Sequence, residues 1–400
     1  MPSIESSGFP LVFRVADAPV PVSARPPGPP AGAISLRTEV RAFEGMQKEA
    51  VVTLDSGARW RMVSDEGPYL NGTDLAPFPL AFFTAGMQFS FLSQLLQGAR
   101  AQSIDLGRIG LAQDNFYTME GSFLRGDAVG GALPSRLEVT LESAADPEAI
   151  KRLVRMAEAK SGAQALLRAP MTNVFSLTHN GRACTVEGVV ASSAPRHDEP
   201  RFEGIRPEAE WPGSDHIITK VSEAESVHGV EGGAGSSLQA EQKRTLHVHG
   251  DAGVLRGMAM ETGVRLFKPI GSSFQFRCDE VAGLGGDETA PPPLAFTAAG
   301  IGFCYMTQLG RYAHILGKKL AGYSLVQDMA FRLGAETSAG TLEATADPVD
   351  THVFLHSCES DVLARDFVRT GARTCFLHAA MGGTYRSEIG VSLNGEELFI

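Results

Sequence analysis

Two cysteines lie in sequence contexts that suit thiol chemistry. Cys304 lies in an apolar stretch that follows three prolines, and Cys375 lies in a later stretch with helical periodicity. Two thiols on helices of one core can meet and close a disulfide, and the attacking thiol must ionise, which a nearby cation favours. The sequence leaves the choice open among five arginines on predicted strands: Arg256, Arg265, Arg37, Arg41 and Arg61.

Other polar residues lie within a turn of these cysteines. His378 follows Cys375 by three residues, so on a helix it shares a face with that thiol and could act as a base. Gln308 lies one turn after Cys304 and could either bind substrate or satisfy backbone groups. The alternative for both cysteines is a role as small buried core residues, and for His378 that of an ordinary core or surface histidine.

The remaining polar clusters do not predict a second site. His247 and His249 would share one strand face at a spacing that suits a metal, but no third ligand is evident, so a solvated strand face is predicted. Asp65-Glu66 and Asp279-Glu280 are interpreted as turn-forming residues before a helix. The chain has no CxxC pair and no nucleotide-binding or metal-binding motif, so no cofactor is predicted.

The elements that must position these residues occur twice in the sequence. DEGPYLNGTDLAPFPLAFFTAGMQFSFLSQL begins at Asp65, and DEVAGLGGDETAPPPLAFTAAGIGFCYMTQL begins at Asp279, an offset of 214 residues (279 − 65). The offset holds without a gap for more than about a hundred residues, up to the Asn-Gly pairs at 180 and 394. A register kept over that length indicates a tandem duplication.

Each copy predicts an α+β fold in which an antiparallel sheet packs on two helices. A hairpin turns at Gly57 or Gly271, an apolar helix follows the prolines, two strands come next, and a second helix begins at Asp146 or Ser360. A hairpin with an Asn-Gly turn closes each copy. The predicted division is a disordered Pro-rich tail (1–32), a first half (33–184), a partly ordered linker (185–243) with the flexible segment GVEGGAGSS, and a second half (244–400).

The stretch PLAFTAAGIGFC, from Pro293 to Cys304, resembles the central helix of the OsmC/Ohr family, in which a cysteine eleven residues after a proline attacks peroxides. GARTCFLHAA around Cys375 resembles the second helix of that family, which supplies the resolving cysteine. The resemblance implies an intertwined dimer that buries its paired central helices, so two copies in one chain would form an intrachain pseudo-dimer. The first copy has Ser90 and Ser161 at the two cysteine positions and would lack the thiols.

The sequence departs from this family at two places. Members that reduce organic hydroperoxides have a glutamate directly after the motif proline, where this chain has Leu294, and Pro-Tyr after the second cysteine, where it has Phe376 and Leu377. Both changes make the predicted pocket more apolar. Its predicted wall draws on both halves: Phe296, Phe303, Tyr305, Phe376, Phe82, Met87 and Phe89.

The resemblance implies a cytoplasmic thiol enzyme that reduces organic hydroperoxides or related hydrophobic electrophiles. Cys304 would attack, Cys375 would resolve, and a dithiol such as a lipoyl group would be the reductant. One alternative is an enzyme that uses a single cysteine as a covalent nucleophile for hydrolysis or carbon–sulfur chemistry, helped by His378. Another is a non-catalytic binder of a hydrophobic small molecule. Whether the intrachain pseudo-dimer forms further homo-oligomers stays open.

The composition argues against several classes of partner. The formal net charge is −11 and no long Lys/Arg run occurs, which disfavours binding to nucleic acid or to an anionic membrane. Five scattered cysteines do not form a secreted disulfide framework, and the N-terminus lacks a signal-peptide pattern, so a reducing cytoplasm is expected. The stretch from Leu75 to Ala99 has no charged residue, but its prolines and polar side chains favour a buried core helix over a membrane span.

Overall fold

A computed structural model describes residues 2–16, 24–28, 32–209, 211, 216–223, 242–268, 270–338 and 340–399. In these ranges the helices are α1 (Ile4–Ser7), α2 (Pro79–Ala101), α3 (Pro147–Lys160), α4 (Gly162–Arg168), α5 (Pro293–Ile315), α6 (Asp361–Thr374) and α7 (Phe376–Met381). The strands are β1 (Val12–Arg14), β2 (Ala33–Ala42), β3 (Lys48–Leu54), β4 (Arg59–Ser64), β5 (Ile109–Gly121), β6 (Val129–Leu141), β7 (Val174–His179), β8 (Arg182–Cys184), β9 (Val190–Ala191), β10 (Ile218–Ser222), β11 (Gln242–Arg256), β12 (Ala259–Lys268), β13 (Ser273–Cys278), β14 (Gly322–Arg332), β15 (Ala335–Thr337), β16 (Gly340–Leu342), β17 (Thr345–Ala346), β18 (Asp350–His356), β19 (Glu388–Leu393) and β20 (Glu396–Leu398).

Strands from both halves of the chain form two large sheets. In the described ranges, one sheet has the order β1-β4-β3-β2-β14-β18-β7-β8, and the other has the order β10-β13-β12-β11-β5-β6-β19-β20. At the centre of the first sheet β2 pairs antiparallel with β14, and at the centre of the second β11 pairs antiparallel with β5. Each half therefore contributes its first hairpin to a sheet that strands of the other half continue.

The long helices α2 and α5 pack against each other, with α2 on the second sheet and α5 on the first. Each has a proline in its first turn, where the missing N–H removes no helical hydrogen bond, and almost every residue of each is buried. Glycines permit their close approach. A Cβ on Gly86 would lie 2.3 Å from Thr297 Oγ1, and one on Gly300 would lie 2.7 Å from the backbone nitrogen of Phe83.

The uncharged stretch from Leu75 to Ala99 forms most of α2, as the sequence analysis predicts. Its polar side chains find partners inside the protein; Gln88 Nε2, for example, donates to the carbonyl of Gly250 at 2.7 Å. Among the described residues, no helix has both the length and the apolar character needed to cross a membrane.

Elements of the two halves coincide at the offset of 214 residues. Adding this offset to the bounds of α2, α3, β4, β7 and β8 gives the bounds of α5, α6, β13, β19 and β20. The predicted helix starts are confirmed, because Asp146 and Ser360 are the N-cap residues of α3 and α6. The predicted Asn-Gly turns are also confirmed, with left-handed φ values of 49° at Asn180 and 53° at Asn394.

The second helix of each half is interrupted, which the sequence pattern does not indicate. Ser161 lies between α3 and α4, and Cys375 lies between α6 and α7; their φ/ψ values of −69°/120° and −67°/116° are those of extended backbone. Cys375 is therefore at a break between two helices rather than on a helix. Because the chain changes direction there, α7 packs against both α5 and α6.

Two segments predicted to be loose are ordered in part. The prediction of a disordered tail is wrong for residues 2–16, because Val12 and Phe13 are buried and β1 pairs with β4. In the linker, β10 pairs with β13, and the rings of Trp211 and Trp60 lie 5.1 Å apart. Residues 29–31 of the Pro-rich stretch and GVEGGAGSS at 229–237 lie outside the described residues.

Candidate active site

Cys304 lies on the wall of a pocket beside the middle of α5. Its side chain is only 2% exposed, and the pocket has a volume of about 400 Å³ with its open mouth included. Thr307 and Gln308 follow Cys304 on the same face of α5. The other lining residues come from both halves: Glu66, Tyr69, Leu70, Phe78, Pro79, Leu80, Arg244, Leu246, Leu266 and Phe376.

Cys375 is fully buried, does not line the pocket, and is hydrogen-bonded to Cys304 through the two side chains. His378 Nδ1 lies 3.2 Å from Cys375 Sγ, so the histidine contacts the buried member of the pair. The backbone N–H of Leu377 donates to the sulfur of Cys304, and that of His378 donates to the sulfur of Cys375. The first turn of α7 thus holds both sulfur atoms.

The two thiols differ in how readily they ionise. Burial raises the pKa of Cys304 well above its usual value, and the neighbouring Cys375 adds to that rise. Burial also opposes ionisation of Cys375, but the hydrogen bond from Cys304 and the contact with His378 hold the pKa of Cys375 well below its usual value. These directions make Cys375 the thiol of the pair that ionises more readily, with Cys304 as the donor of the hydrogen bond.

The structure does not bring the three predicted arginines of the first half to this pocket. Arg37 Nη2 pairs with Asp328 Oδ2 at 2.6 Å on neighbouring strands. Arg41 and Arg61 both pair with Glu49, at 2.5 and 2.8 Å. Each of these arginines is held by a carboxylate away from the thiols, so none can lower the pKa of a cysteine at the site.

The two predicted arginines of the second half also lie elsewhere. Arg256 is exposed where β11 turns into β12. The Arg265 guanidinium lies over the ring of Phe267, 5.4 Å from its centroid, and does not line the pocket. Strand periodicity alone could not decide which face of the sheet these side chains occupy once the strands of the two halves are exchanged.

Arg244 and Arg311, which the sequence analysis misses, bring positive charge to the site. Arg244 on β11 lines the pocket, and Arg311 follows Cys304 by seven residues on the same face of α5. Burial lowers the pKa of both arginines, in Arg244 to about 10, while the opposing charge of Glu66 favours their protonated forms. Lys48, also buried, lies near enough for electrostatic interaction with Glu66 and Cys304. The i to i+7 spacing from Cys304 to Arg311 was the signal available in the sequence.

The two residues of the Asp65-Glu66 pair have different roles. Asp65 Oδ2 accepts hydrogen bonds from the backbone N–H and the hydroxyl of Thr73, at 3.0 and 2.6 Å, which supports the predicted turn-forming role. Glu66 instead lines the pocket, where the Tyr69 hydroxyl donates to its Oε2 at 2.9 Å and burial raises the pKa of Glu66 to about 7. The pocket therefore has a carboxyl group, that of Glu66 from the first half, although Leu294 stands where the resembling family has a glutamate.

Of the predicted apolar wall, only Phe376 is among the residues that line this pocket. Phe82 packs edge-to-face on Phe303 with ring centroids 5.1 Å apart, and Phe89 packs on Phe296 at 5.7 Å, in the contact between α2 and α5. A helix that is apolar all round does not reveal which face meets a pocket and which meets another helix. The other two predicted wall residues are likewise buried in the core: Tyr305 and Met87.

Two polar atoms in the pocket wall have no hydrogen-bond partner among the described residues. They are Thr307 Oγ1 and Gln308 Oε1, and both are buried. Buried polar atoms are normally paired, so these two mark a place where a polar group of a ligand can bind. For Gln308, this geometry favours the substrate-binding interpretation over that of a partner for backbone groups.

The first half has two hydroxyl groups where the second has two thiols. Ser90 Oγ lies 2.9 Å from Ser161 Oγ, across the same contact between a long helix and a helix break. Gln164 occupies the position that corresponds to His378. The two halves therefore have the same arrangement of paired side chains but different chemistry.

A separate cluster of described residues has the donor set for a metal ion. No third ligand beside His247 and His249 was evident from the sequence, but the fold brings Asp114 on β5 next to them. The ligand atoms of the three residues lie within 4.8 Å of one another. His247 Nε2 and His249 Nδ1 lie 2.6 and 2.8 Å from Asp114 Oδ1. At the corresponding position of the second half, Asp328 pairs with Arg37. The two histidines contact Asp114 where the arginine contacts Asp328.

Comparison with known proteins does not assign a family. No family model matches the chain, and no curated protein matches it. Among solved structures, the chain is similar to an OsmC-like hydroperoxide resistance protein from Jannaschia sp. CCS1, with 22% sequence identity, coverage of 36% of this chain and 91% of that chain, and a TM-score of 0.25. A likeness this distant carries no weight for activity.

Proposed function

We propose that this protein is a thiol-dependent reductase of organic hydroperoxides or related hydrophobic electrophiles. The observation that carries the proposal is a hydrogen-bonded thiol pair of which Cys304 lines a largely apolar pocket and Cys375 does not. The apolar wall suits the organic part of a hydroperoxide, and the unpaired oxygen of Gln308 suits its O–H group. Arg244 and Arg311 supply positive charge near the oxygen that leaves.

The first step needs a thiolate on Cys304. Transfer of the proton along the thiol–thiol hydrogen bond, from Cys304 to Cys375, produces it. The thiolate attacks the terminal oxygen of the hydroperoxide, so that an S–O bond forms, the O–O bond breaks, and the alkoxide takes up a proton and leaves as an alcohol. Cys304 is then a sulfenic acid.

The second step closes a disulfide. Cys375, whose sulfur lies 3.2 Å from His378 Nδ1, ionises and attacks the sulfur of the Cys304 sulfenic acid. An S–S bond forms, the S–O bond breaks, and hydroxide leaves as water after taking up a proton. An external dithiol, such as a lipoyl group, then reduces this disulfide by thiol–disulfide exchange and is itself oxidised to a disulfide.

The geometry gives less support to an enzyme with a single nucleophilic cysteine. Such an enzyme needs its base beside the thiol that meets the substrate. Here His378 contacts Cys375, which does not line the pocket, rather than Cys304, which does. The paired arrangement suits a redox cycle better than the formation of a stable covalent adduct.

Peroxide consumption by the purified chain tests the proposed function. With cumene hydroperoxide and dihydrolipoamide, turnover is expected, and Cys304→Ser and Cys375→Ser should each lower the rate at least about a hundredfold. Cys278→Ser is the matched control, because Cys278 is also buried but lies outside the pocket, and this variant should keep the parent rate. No consumption by the parent chain, or consumption that persists in Cys304→Ser, would contradict the proposal.

A further inference from the structure

A second pocket lies in the first half, at the position that corresponds to the Cys304 pocket. Ser90 and Gln94 on α2 line it, where Cys304 and Gln308 line the other pocket from α5. With its open mouth included, its volume is about 900 Å³, against about 400 Å³ for the Cys304 pocket. We name it the serine pocket, and its further lining residues include Leu36, Leu54, Glu280, Leu284, Leu294 and Leu333.

Two aromatic rings that line the Cys304 pocket have no counterpart in the serine pocket. Tyr69 and Phe376 line the Cys304 pocket, and the residues at the corresponding positions of the other half are Gly283 and Gly162. Gly283 lines the serine pocket, and a Cβ on Gly162 would lie 3.2 Å from the side chain of Leu333, which also lines it. At Gly283 the space that the Tyr69 ring occupies in the other half is open, because a Cβ there would have no heavy atom within 4 Å, whereas leucine side chains approach Gly162.

The serine pocket lacks the groups that thiol redox chemistry needs. Its paired side chains are the hydroxyls of Ser90 and Ser161, which do not ionise near neutral pH and do not enter the oxidation steps open to a thiol. Gln164 stands at the position of His378, so the histidine that contacts the thiol pair has no counterpart beside these hydroxyls. A molecule that enters this pocket would be bound without being transformed.

The lining favours an uncharged ligand with an apolar body. The apolar part of the wall is aliphatic side chains and prolines, and three acidic residues, Asp55, Glu280 and Glu288, also line the pocket and disfavour an anionic headgroup. Glu280 accepts a hydrogen bond from the Ser93 hydroxyl at 2.5 Å. Ser90 Oγ also accepts from the backbone N–H of Ala163 at 3.3 Å. When Ser161 donates to Ser90, the hydrogen of the Ser90 hydroxyl remains for a ligand oxygen.

We infer that the serine pocket is a non-catalytic binding site for an uncharged apolar alcohol. The aliphatic wall binds the organic body, and the hydroxyl of Ser90 donates to the oxygen of the ligand. This is also the class of compound that reduction of an organic hydroperoxide releases. The inference does not rest on the proposed function, because the site contains no thiol.

Calorimetric titration of the full chain with 2-phenyl-2-propanol tests this inference. Gly283→Tyr places in the serine pocket the ring that Tyr69 places in the other pocket, and a Cβ at this position has no heavy atom within 4 Å. The affinity should fall at least about tenfold. Ala282→Tyr is the matched control, because it adds the same ring one residue earlier, at an exposed position outside the pocket, and should keep the parent affinity.

Cys304→Ser separates this inference from the proposed function. Binding that persists in Cys304→Ser and weakens in Gly283→Tyr supports the serine pocket, even if the parent chain reduces no peroxide. Affinity that is unchanged in Gly283→Tyr, lowered equally in Ala282→Tyr, or lost in Cys304→Ser would overturn it. If Gly283→Tyr does not fold, Leu333→Trp fills the same pocket from another lining residue and carries the same expectations.

Discussion

Cys304 and Cys375 have the same side chain but differ in access to the pocket and in the direction of their pKa shifts. Cys304 lines the pocket but has the raised pKa, whereas Cys375 has the lowered pKa but lies away from the pocket. In the proposed cycle, passage of a proton from Cys304 to Cys375 would give the accessible sulfur the charge that its own surroundings oppose. The pair therefore acts as a unit, and replacing either residue changes the ionisation of the other.

His378→Gln is expected to make the thiol pair ionise at higher pH. The imidazole contacts Cys375 and favours its thiolate, while glutamine keeps a polar side chain of similar reach without a charge. The thiolate absorbance of the pair, followed against pH, should therefore have its midpoint shifted upwards. His356→Gln, which removes an exposed histidine paired with Glu199, is the control, and an unshifted midpoint in His378→Gln would contradict this role.

Arg244→Gln is expected to lower kcat/KM for cumene hydroperoxide by about ten- to a hundredfold. The substitution removes a buried positive charge from the pocket wall, where the alkoxide would leave. Arg265→Gln is the matched control from a neighbouring strand, since Arg265 lies over Phe267 and should leave kcat/KM unchanged. A larger loss of kcat/KM in Arg265→Gln than in Arg244→Gln would show that Arg265, one of the five arginines suggested by the sequence, is the activating cation.

The sequence predicts part of this site because part of it is local. Three-residue spacing places His378 beside Cys375, and the offset of 214 residues identifies both cysteines as departures from a serine pair. Glu66 and Arg244 are far apart in the sequence, and only the exchange of strands between the halves brings both to one pocket. Local periodicity contains no information on that exchange.

Among the helices, α2 and α5 are apolar on all faces, so their sequences do not predict which face contacts the partner helix and which contacts a pocket. The predicted wall residues Phe82 and Phe303 face the partner helix, whereas Cys304, Thr307 and Arg311 follow one line along α5 towards the pocket region. Positions of helix starts were predictable, because caps and prolines act locally. The break at Cys375 was not, because no glycine or proline marks it in the sequence.

Gly300→Ala is expected to destabilise the protein by about 1 to 3 kcal/mol. The added Cβ would lie 2.7 Å from the backbone nitrogen of Phe83, which can move only if the two helices separate. Gly98→Ala is the matched comparison within α2, because its Cβ would meet only the side-chain ends of Met156 and Leu153, which can move more easily than backbone, so it should cost less than Gly300→Ala. Urea unfolding of both variants checks this, and equal stabilities would contradict the close helix contact.

His249 beside Asp114 is expected to stabilise the second sheet more at low pH than at high pH. Partial burial opposes the charge on His249, but hydrogen bonds and charges from Asp114 and Asp251 raise its pKa above the ordinary value. A raised folded-state pKa contributes stability fully below the unfolded value of about 6.5 and loses it as pH rises through the folded value.

His249→Gln should therefore lower the free energy of unfolding by about 0.5 to 1 kcal/mol at acidic pH and by less at alkaline pH. Urea unfolding across that range measures the difference. In an Asp114→Asn background the pH dependence of this effect should shrink, because the main partner of His249 has lost its charge. A larger loss at alkaline pH would contradict the assignment.

At the scale of the whole molecule, each pocket is built from both halves. The Cys304 pocket takes Glu66 and Leu80 from the first half, and the serine pocket takes Glu280 and Leu294 from the second. Each of the two sheets also joins strands of both halves, through the pairing of β2 with β14 in one sheet and of β11 with β5 in the other. We propose that the chain is a fused pseudo-dimer in which one site keeps its thiols and the other has become a wider, thiol-free pocket.

The central claim is that Cys304 and Cys375 form a disulfide through a peroxide-driven cycle. The most direct test is the mass of the chain, with peptide mapping, after one equivalent of cumene hydroperoxide. The parent chain should lose two hydrogens and yield a linked Cys304–Cys375 peptide, and Cys375→Ser should instead gain one oxygen on Cys304. An unchanged mass, or a disulfide that involves exposed Cys358 instead of this pair, would contradict it.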